Sequence, residues 1–336
     1  MKTKVGMILM GLAMLASCSQ ENETLAVTDA EGVIRLGVEG GSGVMTRGVV
    51  NTLEALSAEG TKVGLYAVKT AVTDASLPVS ADWLSDTRPM TNVQTTSIDK
   101  TTGAMKWLNP EVYIYPKNDV DGKNNVKFFA YYPYAAKGTA GDNYMVDAVA
   151  TTAPKLNFTL TGSEDLMWAT PVLGSRTQPA PALKFNHKLT QLSFRLMDGE
   201  GSFTVTNGAV TDVMIEANTK GVMNIETGAL SDWGTSSSLE VYKGSIPVIG
   251  ADPVPLAVTL MLQPGQVAFN VTLKAAGKDG SGVVTKMAEI KPMGDATFLA
   301  GKAYLITLSL SGNVLIQLGA SVVPWVEGGT GFGYID

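Results

Sequence analysis

The chain has 336 residues, of which 45% are hydrophobic and only 17% are charged, and its formal net charge is −6. This length is enough for one large or two medium domains with a sizeable core. The acidic balance excludes the basic surface with which proteins bind nucleic acid. Cys18 is the only cysteine, so no disulfide can form within the chain and stability must come from packing.

The first residues are typical of a secretory signal. Lys2 and Lys4 precede a short apolar run, and small residues follow it, which is the pattern of a leader that is removed during export. The run is shorter than the roughly 20 residues that span a bilayer. Leu15-Ala16-Ser17-Cys18 resembles the bacterial lipobox, so we expect removal of residues 1–17, acylation of Cys18, palmitate included, and anchoring to the outer membrane. An ordinary signal peptide with an unrelated cysteine is the alternative.

A strand pattern follows this leader. Ile34, Leu36 and Val38 alternate with polar residues or glycine, which predicts a half-buried strand. A glycine-rich segment, flexible by composition, comes next, and then Arg47 stands before Gly48 among small residues. Cleavage after Arg47 by an Arg-specific protease would detach the strand. The alternative is an N-terminal edge strand that stays in place, and the residues alone favour this alternative.

The rest of the chain predicts short, frequent strands. Low charge with many glycines and β-branched residues is typical of strands and turns. No segment outside the leader carries apolar residues at helical spacing over a dozen positions, and 52–58 and 71–83 are too polar or too interrupted for a helix. The predicted strands cover 62–68, 91–97, 112–115, 126–132, 156–160, 166–169, 185–196, 213–215, 222–225, 256–262, 267–273, 283–290, 303–310, 314–318 and 321–326.

Three local patterns predict how these strands connect. The Asn- and Asp-rich stretch 117–125 predicts a hairpin loop between the two aromatic strands that flank it. A change of apolar parity at Thr190 or Gln191 predicts a β-bulge within one continuous strand. Pro264-Gly265 stands between two alternating runs, which predicts a hairpin over 256–273 with a type II turn.

Together these elements indicate a nearly all-β protein of two tandem sandwiches. If the chain is cut after Arg47, residues 18–47 are a propeptide that contains the first strand. The proline-rich stretch 170–181 is interpreted as a linker, so we expect one sandwich at 48–181 and the second at 182–336. A division near Trp233 is the alternative.

Residues that could carry catalysis are scarce. His187 is the only histidine and shares an apolar row with Phe185 and Leu189, which predicts a packed, hydrogen-bonded core residue. With one histidine and a cysteine that we expect to be bound to lipid, neither a zinc cluster nor a Cys–His pair can be built. Ser97 and Lys100 match the Ser-x-x-Lys spacing of a catalytic serine and lysine. That pair works only when a helical turn stacks the lysine under the serine, and the neighbouring threonines do not favour a helix. We therefore expect no enzyme, cofactor or metal site, with a glycoside hydrolase built on paired carboxylates as a minor alternative.

Several stretches occur in an order that resembles a known family. They are the lipobox at Cys18, Arg47, the aromatic stretch 128–134, the stretches 185–189 and 298–304, and Pro324-Trp325 with the glycine-rich tail. In this order they resemble the fimbrillin (Mfa-like, FimA-type) pilus proteins of Bacteroides-type bacteria, over nearly the whole chain. The resemblance implies two tandem transthyretin-like β-sandwich domains. It also implies a structural or tip subunit of a cell-surface fimbria that contributes to adhesion.

The resemblance further implies a route of maturation and assembly. A lipoprotein precursor would reach the surface of the outer membrane, where an Arg-specific maturation protease would cut between Arg47 and Gly48. Loss of the first strand would open a groove, and a strand from another pilin subunit would fill it by donor-strand exchange. The C-terminal strand, 314–335, is the candidate donor. In this sequence, the residues of the removable strand that would plug the groove are Ile34, Leu36 and Val38.

The tail leaves the position of such a subunit open. Pro324 interrupts the alternation of the candidate donor and glycines crowd its end, so a tip or accessory subunit that accepts a strand and donates none is an alternative. The expected partners are other pilin subunits, the outer membrane, the maturation protease and a host or bacterial surface ligand. The alternative function is a non-polymerising outer-membrane surface lipoprotein that binds glycan or protein.

Overall fold

The computed structural model describes residues 32–39, 52–70, 83, 88–116, 126–138, 144–147, 152–199, 210–234, 236–244, 250–276, 282–311 and 314–323. These parts are nearly all β, which confirms the predicted fold class. They contain one short α-helix, α1, at Thr52–Ser57, and a 3₁₀ turn at Pro110–Val112. The strands are β1 Gly64–Lys69, β2 Met90–Ile98, β3 Met105–Trp107, β4 Val126–Tyr132, β5 Tyr144–Asp147, β6 Lys155–Thr159, β7 Met167–Ala169, β8 Val172–Gly174, β9 Phe185–His187, β10 Thr190–Asp198, β11 Val210–Asn218, β12 Lys220–Asn224, β13 Leu230–Ser231, β14 Ser236–Lys243, β15 Val254–Leu262, β16 Phe269–Ala276, β17 Val283–Ile290, β18 Ala303–Ser311 and β19 Val314–Val323.

The described strands form four sheets. The first has the order β3-β2-β1-β4-β7-β9, with β8 also paired to β4. Two four-stranded sheets, β15-β10-β18-β19 and β14-β11-β16-β17, share one apolar cluster. Because the inner faces of both sheets contribute to that cluster, they pack as a β-sandwich. The fourth sheet, β13-β12-β6-β5, is small.

The fourth sheet joins the two halves of the chain. β12 pairs along its length with β6, with Val222 opposite Asn157. A second apolar cluster links the same regions, and the Trp168 indole N–H donates to the Ile225 carbonyl over 2.8 Å. The division of the chain into sandwiches at 48–181 and 182–336 stays a prediction, and this sheet spans that boundary.

The predicted hairpin over 256–273 is wrong. β15 pairs with β10, whereas β16 pairs with β11 and β17, so the two strands lie in opposite sheets of the sandwich. Gly265 has a φ of 81°, as the third position of a type II turn requires. The turn is held from outside, since the Gly265 N–H donates to the Phe298 carbonyl over 2.7 Å. Alternation in two successive strands predicts two buried faces, but it does not say whether the strands share a sheet.

The predicted β-bulge at Thr190 or Gln191 is also wrong, because the chain passes from one sheet to another at this point. β9 pairs with β7 in the first sheet, and β10 starts three residues later in the sandwich. Leu189, Thr190 and Gln191 are all fully buried at this crossing. The parity of the apolar residues shifts because the chain enters a second core.

The sequence prediction missed the helix α1. Leu53 and Leu56 are three residues apart and both are buried in the core of the first sheet. Six residues are too few for the periodicity of a helix to stand out, so this helix depends on its tertiary packing.

Candidate functional site

Residues 32–39, the plug segment, lie along one end of the first sheet. Val33 and Gly37 form antiparallel bridges with Ile114 and Ala104, which flank β3 in the sequence. Four backbone hydrogen bonds hold this side. They are Ile34 N–H to Tyr113 O at 2.8 Å, Tyr115 N–H to Gly32 O at 3.0 Å, Met105 N–H to Leu36 O at 2.9 Å and Val38 N–H to Gly103 O at 2.9 Å.

The opposite side of the plug segment pairs with the other end of the same sheet. Val38 forms a parallel bridge with Leu183, two residues before β9. The Leu183 N–H donates to the Gly37 carbonyl over 2.7 Å, and the Glu39 N–H donates to the Leu183 carbonyl over 2.9 Å. Since β3 and β9 are the terminal strands of the sheet, the plug segment bridges its two ends. Residues 103–105, 113–115 and Leu183 are called the plug groove below.

The predicted hairpin between 112–115 and 126–132 is therefore wrong. Tyr113 and Tyr115 bond to the plug segment, whereas β4 lies between β1 and the short strands β7 and β8. The loop residues 117–125 lie outside the described residues.

The apolar side chains of the plug segment are buried, Val33 at 9% exposure included. Ile34, Leu36 and Val38 are 0%, 2% and 2% exposed and belong to the apolar cluster under the first sheet, whereas Arg35 and Glu39 are exposed. Burial of such a side chain contributes about 1.5–3 kcal/mol each. The plug segment is therefore a structural part of this core, with a backbone ladder on both sides.

A tight turn receives the end of the plug segment. Gly103 has a φ of 71°, and a Cβ placed on it would lie 2.2 Å from the Val38 carbonyl oxygen. The Asp99 carboxylate orders the turn by accepting the backbone N–H groups of Thr101 and Thr102 over 2.9 and 2.8 Å. These hydrogen bonds lower the pKa of Asp99. Only glycine allows the strand to approach this turn so closely.

The elements after the plug segment are anchored in the same core. Leu53 and Leu56 of α1 belong to the apolar cluster that holds Ile34, Leu36 and Val38. The predicted cleavage site, Arg47 and Gly48, and the predicted lipidation site, Cys18, lie outside the described residues. A cut after Arg47 would therefore fall between two elements that are each held by the core.

The candidate donor strand is in part a member of the sandwich. β19 pairs with β18 from Val314 opposite Ser311 to Val323 opposite Ala303. The Gln317 side chain also accepts from the Lys291 N–H over 2.7 Å and donates to the Lys291 carbonyl over 2.6 Å. The rest of the candidate, residues 324–335, lies outside the described residues.

The residues that the sequence offered for catalysis are His187, Ser97 and Lys100. His187 Nδ1 lies 2.7 Å from an Asp165 carboxylate oxygen, and both side chains are buried. Ser97 lies in β2 and Lys100 lies in the turn that follows it. The two residues are therefore not on a helix that would place the lysine under the serine. Within the described parts of the chain, no group of three or more His, Cys, Asp or Glu residues could hold a metal ion. No helix in those parts is long and apolar enough to cross a membrane.

We expect Leu36→Ala to destabilise the first sheet by about 2–5 kcal/mol, because it leaves a cavity in a closed core. Glu39→Ala is the matched control, since Glu39 pairs through its backbone and its side chain is exposed; its effect should stay within about 0.5 kcal/mol. Urea unfolding followed by tryptophan fluorescence measures both, because Trp107 lies in the same cluster. Equal unfolding midpoints for Leu36→Ala and wild type would mean that the plug segment adds nothing to this core.

The described residues have an all-β fold in which the plug segment is buried. In the sequence, a glycine-rich stretch and Arg47 follow that segment. The fimbrillin-like family model matches residues 46–325, and the chain belongs to that family. It is 26% identical over 331 residues to a Bacteroides uniformis protein named as a fimbrium subunit, Fim1C, across 96% of this chain and 95% of the relative.

Solved structures share the fold. One is named as a cell adhesion protein of Bacteroides uniformis, with 20% identity, a TM-score of 0.53, and coverage of 88% of this chain and 100% of that one. Another is named as a fimbrial protein of Bacteroides vulgatus, with 18% identity, a TM-score of 0.54, and coverage of 87% and 99%. At these identities the likeness is one of fold.

Proposed function

We propose that this chain is a subunit of a cell-surface fimbria that assembles by replacing its own plug segment with a β-strand from another subunit. The observation that carries the proposal is the seating of the plug segment. It bridges both ends of the first sheet and buries Ile34, Leu36 and Val38, yet the chain reaches it only through a linker that contains Arg47. The family match begins at residue 46, beside that arginine.

The precursor is held in two ways. Acyl chains on Cys18 anchor it to the outer membrane, since each buried CH₂ contributes about 0.8 kcal/mol and several chains hold firmly. The plug segment fills the groove from the same polypeptide and bonds to backbone groups at both ends of the sheet. One cut between Arg47 and Gly48 by an Arg-specific protease separates the body from both the anchor and the plug segment.

The cut changes the effective concentration of the plug segment. While residues 40–51 are uncut, they have the composition of a short tether, which keeps the segment near the groove at a local concentration of about millimolar. After cleavage the segment is a separate peptide that can dissociate and dilute. The open edges of β3 and β9 and the apolar trough between them then favour pairing with another strand.

Arg35 is a second potential site for the same protease, but the fold protects it. The backbone groups of Ile34 and Leu36 on either side are bonded to Tyr113 and Met105. A protease requires an extended, unpaired substrate, so a cut at Arg35 would first require the plug segment to leave the groove. Among the described residues this pairing runs as far as Glu39, and Arg47 follows eight residues later in the sequence.

The candidate donor strand of this subunit is 314–335. Withdrawal of β19 would break a ladder that runs the length of β18 and uncover its buried row, which includes Ile306 and Leu308. The other residues of the candidate, 324–335, lie outside the described residues, and we propose them as the part that donates. If this segment does not donate, the subunit occupies the tip and contributes adhesion there.

Treatment of the purified precursor with an Arg-specific protease tests the proposal. We expect a new N-terminus at Gly48, an intact Arg35 in the cleaved peptide, and oligomers that form after the cut. Mass spectrometry and size-exclusion chromatography measure these outcomes. A clean cut at Arg47 with the body remaining monomeric, even with other fimbrial subunits added, would favour the anchored binding lipoprotein instead.

A further inference from the structure

We propose that Lys286 keeps strands of other subunits off the edge of β17, so that strand pairing is confined to the plug groove. This role of Lys286 rests on the proposed function, in which one subunit captures a strand of another. In the precursor the plug segment already fills the plug groove, so the edges that could pair too early are those of the sandwich.

Three of the four terminal strands of the described sandwich are irregular. β14, β15 and β19 each pair with their neighbour across a register shift, and such a shift bends a strand and interrupts its free edge. β15 also carries Pro255 in its ladder, as edge strands often do. Beside β19, the Ala320 N–H donates to the Met293 sulfur over 3.2 Å, so Met293 covers part of that edge.

β17 is the regular one of the four. Among the described strands it pairs with β16 alone, in an unbroken register over the eight residues Val283–Ile290. A long, regular terminal strand presents a row of backbone groups to which another chain can pair. Two apolar side chains on it, Val283 and Met287, are also 63% and 66% exposed. Of the terminal strands, β17 is thus the one on which unwanted pairing is most favoured.

Lys286 stands on the face of β17 that points into the sandwich. It lies opposite Leu273, which is fully buried, and cross-strand partners share a face. The same row continues with Ala288 and Ile290, which pack against the core. A strand added beside β17 would cover this row and take the Lys286 ammonium out of water. Because burial of a charge is costly, an inward-pointing lysine protects an edge that is otherwise open.

The variant Lys286→Val in the uncleaved precursor tests this role, and Lys274→Val is the matched control. Lys274 is exposed on the neighbouring strand β16 and its replacement removes the same charge, but β16 is paired on both sides, with β11 and β17. By sedimentation, we expect Lys286→Val to associate at least about tenfold more strongly than wild type, and Lys274→Val to behave as wild type does.

Two further variants separate charge from shape. Lys286→Glu should stay as monomeric as wild type, since a carboxylate is also costly to cover. Lys286→Thr, a smaller neutral replacement, should associate as Lys286→Val does, and it replaces that variant if valine prevents folding. Thermal melts check that each chain folds cooperatively.

Hydrogen exchange locates the new contact. The amides of residues 283–290 should gain protection when Lys286→Val associates, and those of the plug segment should be unchanged. Folded neutral variants that associate no more strongly than wild type would overturn the role of Lys286. Equal association by Lys274→Val, or protection gained only elsewhere, would overturn it as well. None of these outcomes requires cleavage, whereas the proposed function fails if cleaved wild-type chains stay monomeric with other fimbrial subunits added.

Discussion

An Arg47→Ala chain is expected to fold, to stay attached through Cys18 and to form no fimbrial polymer. Its plug segment would remain covalently linked to α1, whose Leu53 and Leu56 share a core with Ile34. A competing strand would have to displace a partner held at a local concentration of about millimolar, as well as six backbone hydrogen bonds. Assembly should therefore fall by orders of magnitude rather than by a modest factor.

The measurement is fimbrial yield on intact cells, with the N-terminus of surface-extracted protein as the second readout. Arg47→Lys is the matched variant: it should be resistant to the Arg-specific enzyme and should recover assembly when a Lys-specific protease is supplied. Arg35→Ala is the control, because Arg35 lies inside the paired segment and should not affect maturation. Fimbriae of normal yield from Arg47→Ala cells would refute cleavage as the trigger.

The burial pattern of the plug segment could be predicted from residues close together in the sequence. Alternation of Ile34, Leu36 and Val38 with polar residues and glycine indicates one buried face, and these three side chains are buried, with Val33 buried as well. The resemblance to fimbrillins adds the cleavage site and the exchange, which stay predictions. What alternation cannot supply is the partner. Ala104, Ile114 and Leu183 are distant in the sequence, and nothing local marks them as neighbours of the plug segment.

The errors have the same physical origin. The runs around Pro264-Gly265 bury most of their alternating apolar residues but leave Val258 and Val267 exposed. Their strands, β15 and β16, also enter different sheets. The parity change near Thr190 reflects a second core rather than a bulge. In each case the local pattern reports burial, whereas the choice of pairing partner is decided by contacts between distant residues.

Gly103→Ala is expected to expel the end of the plug segment from the groove. The new Cβ would lie 2.2 Å from the Val38 carbonyl oxygen, and because the obstacle is backbone, it cannot rotate away as a side chain would. The Val38–Gly103 and Leu36–Met105 hydrogen bonds should be lost together, since they hold the same stretch. The Asp99 turn itself should survive, because Thr101 and Thr102 still donate to the carboxylate.

Gly60→Ala separates this steric effect from the ordinary cost of a left-handed residue. Gly60 has a φ of 82° and nothing within 4 Å of an added Cβ, so its replacement should cost only about 1–2 kcal/mol. Gly103→Ala should cost about 2 kcal/mol more, and hydrogen exchange at the Val38 and Met105 amides should approach that of an open strand. Because an incoming donor strand would occupy the same line, cleaved Gly103→Ala chains should also associate more slowly than cleaved Gly60→Ala chains. If the two variants had equal stability and equal protection at Met105, the plug segment would not depend on this approach, and another part of the groove would have to determine where a strand can bind.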